Sequence, residues 1–204
     1  AEWFDLRGHG ALVPGNFADL VVFSDLRKID VRRVYRFGKL VALDGQLLPE
    51  VTPGRVVTIR SAMNVAWDKI DFKVKAQSHR MRVIVAIPDQ IVTDQSIEEV
   101  KRVGDYAVAD VARDILKMAV IERHQASGSM GIGFVKGFGL KGGALAASVA
   151  HDSHNIIVVG TNDNDMLTAA KAIGRLGGGF VAVSDGEVLA QAPLPIAGLM
   201  SDQP

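Results

Sequence analysis

Apolar positions along this chain recur mostly as short runs rich in β-branched residues, the signature of strands rather than of amphipathic helices. Residues 20–23, 31–37 and 39–43 read as three strands, with Phe37-Gly38 and Asp44-Gly45 as turn chemistry between and after them. Within 31–37, alternation sets Val31, Arg33, Tyr35 and Phe37 on one face and Arg32, Val34 and Arg36 on the other, which predicts a small antiparallel module with one buried face. Residues 49–54 read as a linker. Beyond it, 56–59, 72–74, 82–87, 130–135, 145–149 and 156–159 are further strand candidates. The run at 115–121 fits a strand or a helix, and composition favours strand for most of these segments. Residues 180–183 and 187–190, separated by Asp185-Gly186, predict a closing hairpin.

One helix is expected, over residues 163–176. Asn162 caps it, Asp163 and Asp165 put negative charge in its first turn, and Gly177 suits a left-handed stop. Met166, Ala169, Ala170, Ile173 and Leu176 follow the i, i+3, i+4, i+7 rhythm, so this helix lies on a sheet. Many strands with few helices give an α+β class.

The chain has 204 residues, enough for one large or two small domains with a substantial core. Lys plus Arg equals Asp plus Glu, 23 of each, so no global field draws in nucleic acid or anionic lipid, and neither is expected as a partner. Cysteine is absent, which excludes disulfides, thiolate metal sites and the Pro-Cys-x-x-Cys zinc deaminase pattern within this chain. No apolar stretch approaches the roughly 20 residues of a spanning helix, so no membrane partner is expected and the default address is cytoplasmic.

Candidate chemistry concentrates before and after the run at 156–159. His151, Asp152, His154 and Asn155 precede it. On an extended strand the two histidines face opposite ways; on a helix they share a face. They are candidates for a metal or substrate site, and equally for histidines that donate to backbone carbonyls with Asp152 fixing a tautomer. Gly137, Gly139 and Gly142 match Gly-x-Gly-x-x-Gly, with Asp163 about 20 residues further on as the dinucleotide fingerprint asks. The space for a crossover helix is short, so a tight loop where backbone approaches another segment is the competing expectation. Glu122, Arg123 and His124 end an apolar run, where a solvated strand end competes with a catalytic role. Ser148 and Ser153 lack a nucleophile elbow. Lys136 and Lys141 are read as solvated, and residues 194–200 as core.

Residues 150–166, with Leu-Pro-Ile-Ala-Gly-Leu-Met-Ser-Asp at 194–202 and Ile-Glu-Arg-His at 121–124, resemble the C-terminal domain of bacterial and archaeal adenine deaminases of the amidohydrolase superfamily. Gly-Ala-Leu-Val-Pro-Gly-Asn-Phe-Ala-Asp-Leu-Val-Val-Phe at 10–23 is similar to the segment that follows the catalytic barrel in amidohydrolases. The resemblance implies that residues 1–50 are the end of a barrel helix plus part of a small antiparallel β-sandwich. Residues 51–204 would be the family's C-terminal α+β domain, a mixed, largely antiparallel sheet with few flanking helices, shortened at its carboxy-terminal end where Ser201-Asp202 resembles a helix start.

The family hydrolyses adenine to hypoxanthine and ammonia with a water activated by a divalent metal, manganese or iron. A His-x-His pair and its companion ligands sit in the barrel, and no His-x-His occurs here. The resemblance therefore implies a fragment that binds no metal itself, covers the barrel mouth with His151, Asp152, His154 and Asn155, and provides packing or homo-oligomer contacts. Its partners would be adenine and the barrel of the same protein. Two other readings stand beside it: a stand-alone nucleotide- or purine-binding module using the loop at 137–142, and an independent hydrolase with a mononuclear site from His124, His151, His154 and Asp152.

Overall fold

The computed structural model describes residues 1–25, 27–51 and 63–201. The strand candidate at 56–59, the second half of the linker and Asp202 lie outside these residues. The chain divides into two compact units, Ala1–Thr58 and Ile59–Pro204.

The first unit opens with one turn of 3-10 helix, Glu2–Phe4. A four-stranded antiparallel sheet follows, β1 (Leu20–Phe23), β2 (Val31–Arg36), β3 (Lys39–Leu43) and β4 (Gln46–Leu47), in the order β1-β2-β3-β4. The simple alternation expected for 31–37 is broken. Val22 pairs with Arg33 but Phe23 with Val31, so Arg32 is an extra residue against β1. A second irregularity falls between Val34 and Tyr35 against β3. Each bulge moves the following side chains by one position on the pleat, so Val31, Val34 and Tyr35 are the partly buried residues while Arg33 is exposed.

The second unit holds β5 (Val74–Lys75), β6 (Arg80–Ala86), β7 (Thr93–Glu99), β8 (Arg102–Val103), β9 (Tyr106–Ala107), β10 (Ile115–Ile121), β11 (Met130–Lys136), β12 (Ala144–Ala147), β13 (Ile156–Gly160), α1 (Asp163–Leu176), β14 (Gly179–Ser184) and β15 (Glu187–Pro193). Eight strands form one sheet in the order β15-β14-β12-β13-β10-β11-β6-β7. Every pairing in it is antiparallel except β6 with β11. A small sheet, β5-β9-β8, stands apart. The ambiguous run at 115–121 is therefore a strand, with five of its seven residues buried, as expected where both faces of a central strand are covered or half covered. Phe72, expected to begin a strand, instead precedes β5 and is buried in the core. Of residues 145–149 only the first three belong to a strand, β12, which begins one residue earlier at Ala144.

Helix α1 has the expected bounds and caps. The Asn162 side chain accepts the Asp165 N–H at 2.9 Å, and Gly177 adopts φ 75°. Its apolar stripe packs on one face of the sheet, where Met166, Ala169, Ala170 and Ile173 meet Ala144, Ala146, Val158 and Val181. The hairpin β14–β15 turns at Asp185 and Gly186, both with positive φ, as a two-residue turn between right-twisted strands requires. Asp165, itself buried, accepts the Gly186 N–H at 2.7 Å and so pins that turn to the start of the helix. Lys117, on the core face of β10, donates to the Phe72 carbonyl at 2.8 Å and pairs with Asp163 in the first turn of α1 at 2.5 Å.

Ile173 is fully buried where α1 meets the sheet. Its replacement by Ala is expected to destabilise the chain by about 2–5 kcal/mol, read from the midpoint of urea unfolding at unchanged slope.

Candidate functional site

Antiparallel pairing of β10 with β13 sets Ile121 opposite Ile156. The three residues that leave β10, Glu122 to His124, therefore lie beside the turn that enters β13, Ala150 to Asn155. The ends of β12 and β15 and the start of β14 reach the same end of the sheet.

Arg123 organises this junction. It was expected at a solvated strand end but is 1% exposed. Its guanidinium donates to the His154 carbonyl, and to the Ala197 carbonyl at 3.0 Å. A buried guanidinium must keep its donors satisfied, and these carbonyls come from the turn before β13 and from the segment after β15. Burial lowers its pKa from the ordinary arginine value, yet it stays charged at neutral pH. Gly198 leaves room for it: a Cβ there would stand 2.8 Å from Arg123 Nη1. Ser148, fully buried, closes the same junction. Its hydroxyl donates to the Gly198 carbonyl at 2.5 Å and accepts the Gly179 N–H at 2.8 Å. Thus residues 194–200, expected as core, form a half-buried turn held by side chains of two strand ends.

Glu122 shapes the loop that follows. Its carboxylate accepts N–H groups from His124, from Gln125 at 2.8 Å and from Ser127 at 3.1 Å, and the Ser127 hydroxyl at 2.8 Å. Desolvation pushes its pKa up, but the donors from Gln125, His124 and Ser127 outweigh it and bring the pKa down to about 2.

The imidazoles have separate surroundings. His124 Nε2 lies 3.2 Å from the Ser153 carbonyl. His151 is exposed, with Nε2 3.3 Å from Asp152 Oδ1, itself exposed. His154 sits in a left-handed conformation, φ 51°, neither the strand nor the helix that its spacing from His151 allowed. Its Nδ1 and the Asn155 Oδ1 are buried without a partner among the described residues. Among those residues no group of three or more His, Asp or Glu side chains is placed to hold a metal ion. The mononuclear site proposed from His124, His151, His154 and Asp152 does not assemble.

The glycine-rich loop lies at the opposite end of the sheet, after β11. No helix follows it; the chain enters β12 directly. The N–H groups of Gly137 and Gly139, which a phosphate would need, donate to Asp114 at 2.9 and 2.8 Å. At Gly137 a Cβ would lie 2.6 Å from the Ala86 carbonyl oxygen, so backbone approaches another segment there. Gly142 is exposed and meets no neighbour within 4 Å of an added Cβ. The dinucleotide fingerprint is thus a loop organised by an internal carboxylate, a partner the motif alone does not name. Lys136 is half-buried and lies 3.4 Å from Glu98, while Lys141 is exposed. No helix among the described residues is long and apolar enough to cross a membrane.

The family model described as adenine deaminase C-terminal domain matches residues 90–204. Curated relatives include an adenine deaminase of Desulfatibacillum aliphaticivorans, 52% identical over 206 residues, one of Dehalococcoides mccartyi, 45% identical over 205, and an adenine deaminase 2 of Carboxydothermus hydrogenoformans, 44% identical over 204. Each alignment covers 100% of this chain and 36% of the relative, so the chain spans about a third of the length of the proteins it matches.

The carboxylate of Glu122 has a folded pKa below its ordinary value of 4.5. Its contribution to stability is therefore fully present above pH 4.5 and is lost as pH falls through about 2. The difference in urea midpoint between the natural chain and Glu122→Gln, followed from about pH 6 down to about pH 2.5, is expected to shrink steadily below pH 4.5; a difference independent of pH would contradict the hydrogen-bonded carboxylate.

Proposed function

Because the chain belongs to the adenine deaminase C-terminal domain family, we propose that it is the carboxy-terminal portion of an adenine deaminase, whose complete form hydrolyses adenine to hypoxanthine and ammonia. The observation that carries this reading is the match along the whole chain, at 52% identity, to a protein named for that activity and nearly three times as long. Adenine is then the substrate of the complete protein, in the cytoplasm. The catalytic barrel, with its divalent manganese or iron, belongs to the part of the polypeptide outside this chain. The donors here do not fit such a metal, since the three imidazoles at the sheet end have separate surroundings, and no step of the hydrolysis is assigned to them.

The role of this chain is to close the barrel mouth and to supply packing or homo-oligomer contacts. The turn at 150–155 suits the first task. Exposed His151 and Asp152 project from it, while the Arg123 guanidinium bonded to the His154 carbonyl holds its base. A polar tip on a rigid base is what a wall against bulk water requires. Glu122 and His124 belong to the support of this tip, and Asn155 to its buried root.

Adenine turnover, followed by ultraviolet absorbance and ammonia release, tests the reading in two proteins. The 204-residue chain alone is expected to be inactive. The Desulfatibacillum enzyme with its aligned 206 residues replaced by this chain is expected to turn over adenine, and His151→Ala with Asp152→Ala in that protein to lower kcat/KM by about ten- to a hundredfold. Metal-dependent turnover by the isolated chain, or a folded but inactive replacement protein, would contradict it.

A further inference from the structure

The face of the eight-stranded sheet opposite α1 is apolar as well; near the glycine-rich loop Val111 and Leu140 pack on it and bury Val159, whereas toward β14 and β15 none of the described residues forms a comparable layer. Register places Leu145, Val159 and Met118 side by side across β12, β13 and β10, and sets Ala182 of β14 and Gly133 of β11 in the same row. A second row runs from Phe180 through Ala147, Ile157 and Val120 to Gly131. No residue in either row is charged. Phe180 is 49% exposed and Leu145 42%. Between them a groove of about 400 Å³ opens, bounded also by Phe138 and Ala190. A Cβ added at Gly131 or Gly133 would meet nothing within 4 Å, so the floor beyond the groove is bare backbone.

Five strands about 4.8 Å apart and about four residues deep make a sheet face of roughly 300 Å². That matches the largest patches on ordinary monomers, which mark interaction sites. It is well short of the roughly 800 Å² per partner that a stable dimer buries. An interface of this size holds when its two sides are joined covalently, because tethering replaces a bimolecular association by an intramolecular one. The chain spans 36% of each of its relatives, which leaves most of their length to supply a tethered partner. We propose that this uncharged face, with Leu145 and Phe180 as its ridges and Gly131 and Gly133 as its floor, is the docking surface for the rest of the same polypeptide. The occupant presents aliphatic or aromatic side chains that enter the groove between the ridges. The proposal rests on the reading of this chain as part of a longer adenine deaminase, and it names a surface distinct from the polar turn assigned to the barrel mouth.

Hydroxyl-radical footprinting tests it without altering the face. Oxidation of Leu145 and Phe180 is compared between the isolated 204-residue chain and the full-length Desulfatibacillum protein carrying this chain in place of its own segment, with Tyr106 of the small sheet as the reference. Oxidation of both residues is expected to fall at least about tenfold in the full-length protein, at all concentrations, with Tyr106 unchanged. Equal oxidation in the two proteins would overturn the proposal. So would protection already present in the isolated chain and lost on dilution, which would make the occupant a second copy. If the replacement protein does not fold, the natural relative is footprinted at its aligned positions with the same two outcomes. Adenine turnover of the full-length protein is recorded in parallel, so that loss of protection with activity retained counts against this surface alone.

Discussion

The pairing of β10 with β13 is the constraint on which the rest of the second unit depends. Five consecutive residue pairs, from Lys117 opposite Gly160 to Ile121 opposite Ile156, fix the register. A slip of one residue would turn the whole set of core side chains to the other face. At one end the register brings Arg123 to the turn at 150–155; at the other it puts Lys117 within reach of Asp163 and so anchors the first turn of α1. The two ends of β10 are about 20 Å apart at strand rise, so the histidine-rich turn and the glycine-rich loop cannot contribute to one site.

The same ladder divides the sheet into two faces with different fates. Ala119, Ile121, Ile156 and Val158 point toward α1 and form the core. Met118, Val120, Ile157 and Val159 point the other way, and the strand positions beside them are alanine, glycine, Leu145 and Phe180. A sheet apolar on both faces is stable in water when both are covered. Local covering exists near the glycine-rich loop, where Leu140 and Val111 pack on Leu116, Val135 and Val159. Toward β14 and β15 none of the described residues forms a comparable layer. The uncovered part is uncharged, as the core of a permanent interface is.

Elements with local signals were legible in the sequence. The helix carried its cap, its charge bias, its stripe and its stop between Asn162 and Gly177, and the hairpin carried Asp185-Gly186 between two apolar runs. Strand β7 was not legible. Thr93 to Glu99 is mostly polar because it is an edge strand exposed along most of its length, paired to β6 through backbone bonds that side-chain pattern does not record. The bulges in β2 and β3 were hidden for a related reason, since they follow from partner registers. In the candidate site, the density of polar residues at 150–155 was visible, but its meaning lay at long range. Arg123 binds carbonyls 31 and 74 residues away, and Asp114 fills the amides of a loop 23 and 25 residues away. Carbonyl acceptors belong to every residue type, so nothing in the sequence marks His154 or Ala197 as the partners of a buried guanidinium.

The central claim is that the three histidines at this sheet end, His124, His151 and His154, have separate surroundings and are not gathered as ligands of a catalytic metal. Isothermal titration of the purified 204-residue chain with manganese and with ferrous iron under anaerobic conditions tests it most directly. The account predicts no stoichiometric, saturable binding to the natural chain. One equivalent of tightly bound metal, abolished together by His124→Ala and His154→Ala, would contradict it and would place a metal centre at the sheet end.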